Sequence, residues 1–168
     1  MPATRKGRAV QVAIGGPSAA RVSFRGVDDL DAIEQQLDVA RERDDSVARV
    51  RLIPRALALA AAEPFRAEYL DELAYAYEQL GRLDEAVDAM REALDAGWDG
   101  ELDDHPSARA LIADLLLRAG RAGEAEREWR ETELERPHDP RIHRAVGSAY
   151  ANVGLPVRAG VPMADKGP

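Results

Sequence analysis

Cysteine is absent from the 168 residues, which excludes disulfides, thiolate zinc sites and cysteine nucleophiles at once. Long apolar runs are missing too: none approaches the roughly 18 residues of a membrane span. The N-terminal stretch lacks the extended apolar segment of a secretory signal. A cytoplasmic protein is the plain expectation. Acidic residues are missing from residues 1–27, which carry Arg5, Lys6, Arg8, Arg21 and Arg25, although the whole chain has a net charge of −8. A basic arm on an acidic body can mark contact with anionic partners. Here the arm has no run of interleaved aromatics for base stacking, and the body would repel phosphate, so nucleic-acid association is the weakest reading.

What is abundant points to helices. Charged residues make up 32% and aromatics only 5%, and Ala, Leu, Arg and Glu recur, as in helices with solvated outer faces. One all-α domain is expected for this length. Residues 9–14 (AVQVAI) and 21–25 (RVSFR), either side of GGPSAA, read as a short hairpin or an irregular arm. From Asp28 the pattern turns helical, with Leu30, Ile33, Leu37 and Ala40 on one face.

Three glycines stand where helix formers are expected: Gly81, Gly120 and Gly154. They make sense as C-terminal caps, where the left-handed conformation suits a residue without Cβ. Pro64, Pro106 and Pro140 read as helix openers, with Asp139 as an N-cap. Gly120 and Gly154 lie one 34-residue period apart, and Gly81 and Gly120 one period plus an insertion assigned to the acidic loop GWDGELDDH. Seven residues before each glycine stands a small residue (Ala74, Ala113, Gly147), and five after it an alanine (Ala86, Ala125, Ala159). Small residues at fixed offsets allow close helix crossings.

This self-similarity resembles the tetratricopeptide repeat, a 34-residue helix–turn–helix unit. Leu70, Leu73, Ala74 and Tyr77, then Ala86, Met90 and Ala93, carry the first clear copy, which closes at Trp98 instead of the usual proline. Ile112, Ala113, Leu116, Ala125, Trp129 and Pro137 carry the second, with Arg109 and Thr132 as departures; Val146, Gly147 and Tyr150 begin a third. The resemblance implies a right-handed superhelical array of hairpins. The expected organisation is a basic arm over 1–27, a degenerate hairpin over 28–64, repeats over 65–98 and 105–138, and an incomplete repeat over 139–168. In the degenerate hairpin, Gln36, Val39 and Ala40 are matched to the first helix, and Pro54 is expected to interrupt the second.

Enzymatic chemistry finds no support. His105, His138 and His143 lack ligand spacing, the serines lie in no nucleophile elbow, and Gly15–Gly16 has no phosphate-loop lysine. No metal or cofactor is expected. The resemblance instead implies a concave surface, lined by first helices, that binds a peptide or an extended protein segment. Its expected lining is Glu68, Asp71, Tyr75, Glu78 and Gln79 in the first copy, Ala110, Asp114 and Arg118 in the second, and Arg141, Arg144 and Ser148 in the third. The acids would draw a partner's basic residues toward the first repeat. The lysine, asparagine and arginine clamp with which some family members hold a chaperone's C-terminal carboxylate is not reproduced, since Asp71 and Tyr75 stand there. The other reading is a structural or vestigial repeat fragment without a ligand. Pro156, Gly160 and Pro162 should break the last helix, exposing Val146 and Tyr150 and leaving an end able to self-associate.

Overall fold

The computed structural model describes residues 19–98 and 107–156, in which the regular structure is all helical. In chain order stand α1 (Ala19–Glu42), α2 (Ser46–Leu57), a short 3-10 helix (Ala60–Phe65), α3 (Arg66–Gln79), α4 (Leu83–Asp95), α5 (Ala108–Arg118), α6 (Ala122–Glu135) and α7 (Pro140–Asn152). Each helix packs on its near neighbours in sequence: α1 on α2, α2 on α3, α3 on α4, α4 on α5, α5 on α6, and α7 on α5 and α6. Contact limited to neighbours is the organisation of an α-solenoid.

The capping glycines hold as expected. Gly81, Gly120 and Gly154 have φ of 69°, 77° and 69°. At each turn the glycine N–H and the next N–H reach back to helix carbonyls. Gly120 donates to Leu117 at 3.0 Å and Arg121 to Leu116 at 2.8 Å. These paired bonds satisfy carbonyls that the helix end leaves open. Asp44 makes the same turn at φ 49°: its N–H donates to Arg41 at 3.1 Å, and that of Asp45 to Ala40 at 2.8 Å. Aspartate is one of the few residues with a Cβ that visits this conformation readily.

Leu30, Ile33, Leu37 and Ala40 are buried, as their spacing predicts, and so are Ala74, Ala86, Ala113 and Ala125 at the later crossings. Gly147 does not mark such a crossing, because a Cβ there would meet nothing within 4 Å. Its expected counterpart, Ala159, lies outside the described residues. Gln36 and Val39 are exposed and do not belong to the inner face of α1.

Several expectations need correcting. Residues 21–25 lie inside α1, which begins at Ala19, before Asp28; residues 9–14 are outside the described residues. A two-stranded hairpin is marginal in water, whereas extending an existing helix adds one hydrogen bond per residue fixed. Pro54 does not interrupt α2, which continues to Leu57. It sits in the last turn, where one lost N–H removes a single ladder bond. Pro64 lies in the 3-10 helix and does not open α3. Pro140 does open α7, with the Asp139 side chain accepting from the Arg141 N–H at 2.9 Å. Pro106, His105 and the insertion loop from residue 99 onward lie outside the described residues, as does everything after Pro156. Val146 and Tyr150 are 0% and 3% exposed, so the face expected to be open at the end of α7 is closed.

Candidate partner-binding groove

Helices α1, α3 and α5 are tied side by side through polar side chains. Arg41 of α1 pairs with Glu72 of α3 at 2.6 Å and also holds Glu34 and Asp38 at 3.0 and 2.9 Å. The Tyr69 hydroxyl of α3 donates to Glu34 of α1. Burial and that carboxylate hold the phenol proton well beyond its ordinary range. Arg118 of α5 reaches back to Glu78 of α3 at 2.5 Å. On the second helices, Arg121 meets Asp84 at 2.8 Å and Arg91 meets Glu128 at 3.3 Å, joining α6 to α4. Arg109, which departs from the repeat pattern, joins α5 to α6 through Glu128 and Glu135.

Two cavities flank α3 and share Glu72 as a wall. One, of about 480 Å³ between α3 and α5, has an apolar floor of Ala74, Met90, Leu111 and Leu115 beside Asp71, Glu72, Tyr75 and Glu78. The other, of about 360 Å³ between α1 and α3, is lined by Leu30, Asp31, Glu34, Arg41, Phe65, Glu68, Tyr69 and Glu72. Phe65, in the α1–α3 cavity, and Tyr75, in the α3–α5 cavity, are 54% and 45% exposed. The Arg49 guanidinium lies 5.3 Å from the centre of the Tyr75 ring, supporting it from α2. Burial, with a smaller contribution from the Glu72 charge, pushes the Asp71 carboxyl up to about 6.

The expected lining residues separate into three groups. Asp71, Tyr75 and Glu78 come together in the α3–α5 cavity, while Glu68 lies in the α1–α3 cavity. Gln79 is exposed but lines neither. Ala110 and Asp114 are 0% and 7% exposed and do not form an open lining. Asp114 sits 3.6 Å from Arg118, and Arg118 is itself held by Glu78, so the basic end expected at Arg118 is cancelled in place. Arg141, Arg144 and Ser148 line neither cavity, and Arg141 closes onto Asp139 at 2.7 Å.

Glu72, Leu111 and Leu115 escaped sequence reasoning, as did the α1 residues Asp31, Glu34 and Arg41; Leu30 was expected in the core and not in a cavity wall. For α1 the turn that sets the register falls on Asp44 and not on a glycine, so the sequence carried no usable mark of it. Among the described residues, no three His, Asp or Glu side chains converge as a metal site, and no helix is long and apolar enough to cross a membrane.

Residues 79–149, from the end of α3 through most of α7, match the tetratricopeptide repeat family model. Over that segment the sequence is that of tetratricopeptide repeats. Neither a curated protein nor a solved structure matches the chain. Tetratricopeptide repeats generally mediate protein–protein interaction and are typically not enzymes. The matched segment supplies α5 and Met90 to the α3–α5 cavity, while most of α3 and all of α1 and α2 lie before it.

Proposed function

We propose a cytoplasmic interaction module that binds an extended partner segment across the face formed by α1, α3 and α5. On this reading the repeats occupy 65–98 and 105–138, an incomplete one starts at 139, and a degenerate hairpin over 28–64 supplies the first helix of the face. The observation that carries the proposal is the α3–α5 cavity, where exposed Tyr75 stands beside an apolar floor on a helix face. Such a hollow, with few polar groups around apolar side chains, is the usual form of a recognition site. The test is capture from the cytosol of the source cell, with bound proteins identified by mass spectrometry. A partner retained by the wild type and by the Asp88→Asn control on exposed α4 surface, but lost with Tyr75→Ala and with Asp71→Lys, is the expected result. Retention by all of these proteins would show that this face is not the binding surface.

A further inference from the structure

The carboxylates around the α3–α5 cavity are not equivalent. Glu72 is answered by Arg41 at 2.6 Å, and Glu78 by Arg118 at 2.5 Å. Asp71 makes no hydrogen bond or ion pair among the described residues, although it is half-buried and adjacent to the Glu72 charge. A partly desolvated carboxylate without a cation is unfavourable, more so with a like charge beside it. Half-buried Leu111 lines the same cavity and offers apolar surface there, while Leu115 is 1% exposed.

We propose that the α3–α5 cavity is an anchor site for a long cationic side chain, lysine or arginine, of an extended partner segment. Its aliphatic stem lies over Leu111 and its charged head meets Asp71. The proposal rests on the interaction reading above and adds the chemistry of the partner. Long cationic side chains cover apolar surface with their methylenes while the head stays at a polar rim, and this cavity has that order of floor and rim. A purely apolar side chain would fit the floor but bury Asp71 further without a partner. An acidic one would add a third carboxylate next to Asp71 and Glu72. The charges nearby favour the cation: Arg118 is already shared by Glu78 and Asp114, Arg41 by Glu34, Asp38 and Glu72, and Arg49 by Asp44.

The test uses the full chain and phage-displayed random dodecapeptides, selected at pH 7.5 and low salt. The expected result is enrichment of peptides with one fixed lysine or arginine. Replacing that residue by norleucine should weaken binding roughly tenfold or more, the scale of a charge-assisted contact. Asp71→Asn should produce the same loss, and the two changes together little more than either alone, as for directly interacting groups. Circular dichroism verifies that each variant remains helical. Selected peptides that lose binding with Tyr75→Ala and Leu111→Gln, yet carry no basic residue or ignore Asp71→Asn, would overturn the cationic anchor and leave the interaction reading standing. Peptides indifferent to all three substitutions, or a selection that yields none, would overturn both.

Discussion

In the α5–α6 hairpin, Ala113 lies seven residues before the turn residue Gly120 and Ala125 five after it. In the α1–α2 hairpin the same offsets from Asp44 fall on Leu37 and Arg49. All four are buried, at 0%, 0%, 0% and 5% exposure. One crossing closes on two methyl groups, the other on an isobutyl group and the stem of an arginine. That guanidinium is held by Asp44, the turn residue, and lies against Tyr75 of the next hairpin. The turn geometry is thus shared while the packing chemistry is not. A helical hairpin can keep its hydrogen-bonded reversal while its crossing residues change, because the reversal depends on φ at one residue and the crossing on side-chain volume. The family match, which begins at residue 79, does not include the α1–α2 hairpin.

The sharpest way to break the comparison is at the large residue. Leu37→Ala should cost about 2–5 kcal/mol, the range for removing a fully buried leucine from a site that cannot collapse. Because solenoid units unzip locally, the loss should appear in denaturant unfolding as early melting of α1 and α2 ahead of α3–α7. A midpoint and slope equal to those of the wild type would mean that the first crossing is loose. The reverse substitution, Ala113→Leu, should cost about 1–3 kcal/mol through overpacking at a crossing built for methyl groups. If it is neutral, the second crossing has the same room as the first and the contrast between them disappears.

The glycine turns were legible in the sequence because a left-handed residue is a demand that few side chains meet. Asp44 was not legible, since aspartate serves solvated turns far more often than left-handed caps. The period was hidden as well: Asp44 and Gly81 are 37 residues apart, more than one repeat, with the 3-10 helix Ala60–Phe65 lying between. Counting back 34 residues therefore put Gln36 and Val39 on the wrong face. In the groove, Asp71, Tyr75 and Glu78 were legible from repeat register alone. The pairing of Arg118 with Glu78 was not, because it joins side chains 40 residues apart on different helices.

The next effect is smaller and of opposite sign. The Asp71 carboxyl titrates near about 6 in the folded chain, chiefly through burial, against roughly 3.9 when unfolded. The folded state binds this proton more tightly, so the group costs stability as pH rises from about 4 to 6, and the whole cost is present at pH 7. With partial exposure and solvent screening, that cost is about 1 kcal/mol. Asp71→Asn should therefore stabilise the chain at pH 7 by up to about that amount and leave pH 4 nearly unchanged, read from thermal unfolding at both values. Destabilisation at pH 7 would mean that Asp71 makes a favourable contact in the free protein, which would remove the basis of the cationic anchor. Stabilisation together with weakened peptide capture is the pattern of a residue kept for binding at the expense of folding.

The smallest effect separates the two kinds of turn residue. Gly120 has φ 77° and a Cβ added there would meet nothing within 4 Å, so any substitution is opposed by backbone conformation and not by a clash. Gly120→Ala should cost about 1 kcal/mol, the left-handed penalty for an ordinary residue. Gly120→Asp should cost a few tenths less, because aspartate enters this region more readily; in this chain it already does so at Asp44. Both substitutions remove similar chain freedom from the unfolded state, so that contribution cancels between them and the difference isolates the turn itself. Denaturant midpoints measured side by side on the two variants resolve a gap of this size more securely than either absolute value. Equal midpoints, or Ala above Asp, would mean that Asp44 stands in its turn for its ion pair with Arg49 and not for its backbone tolerance.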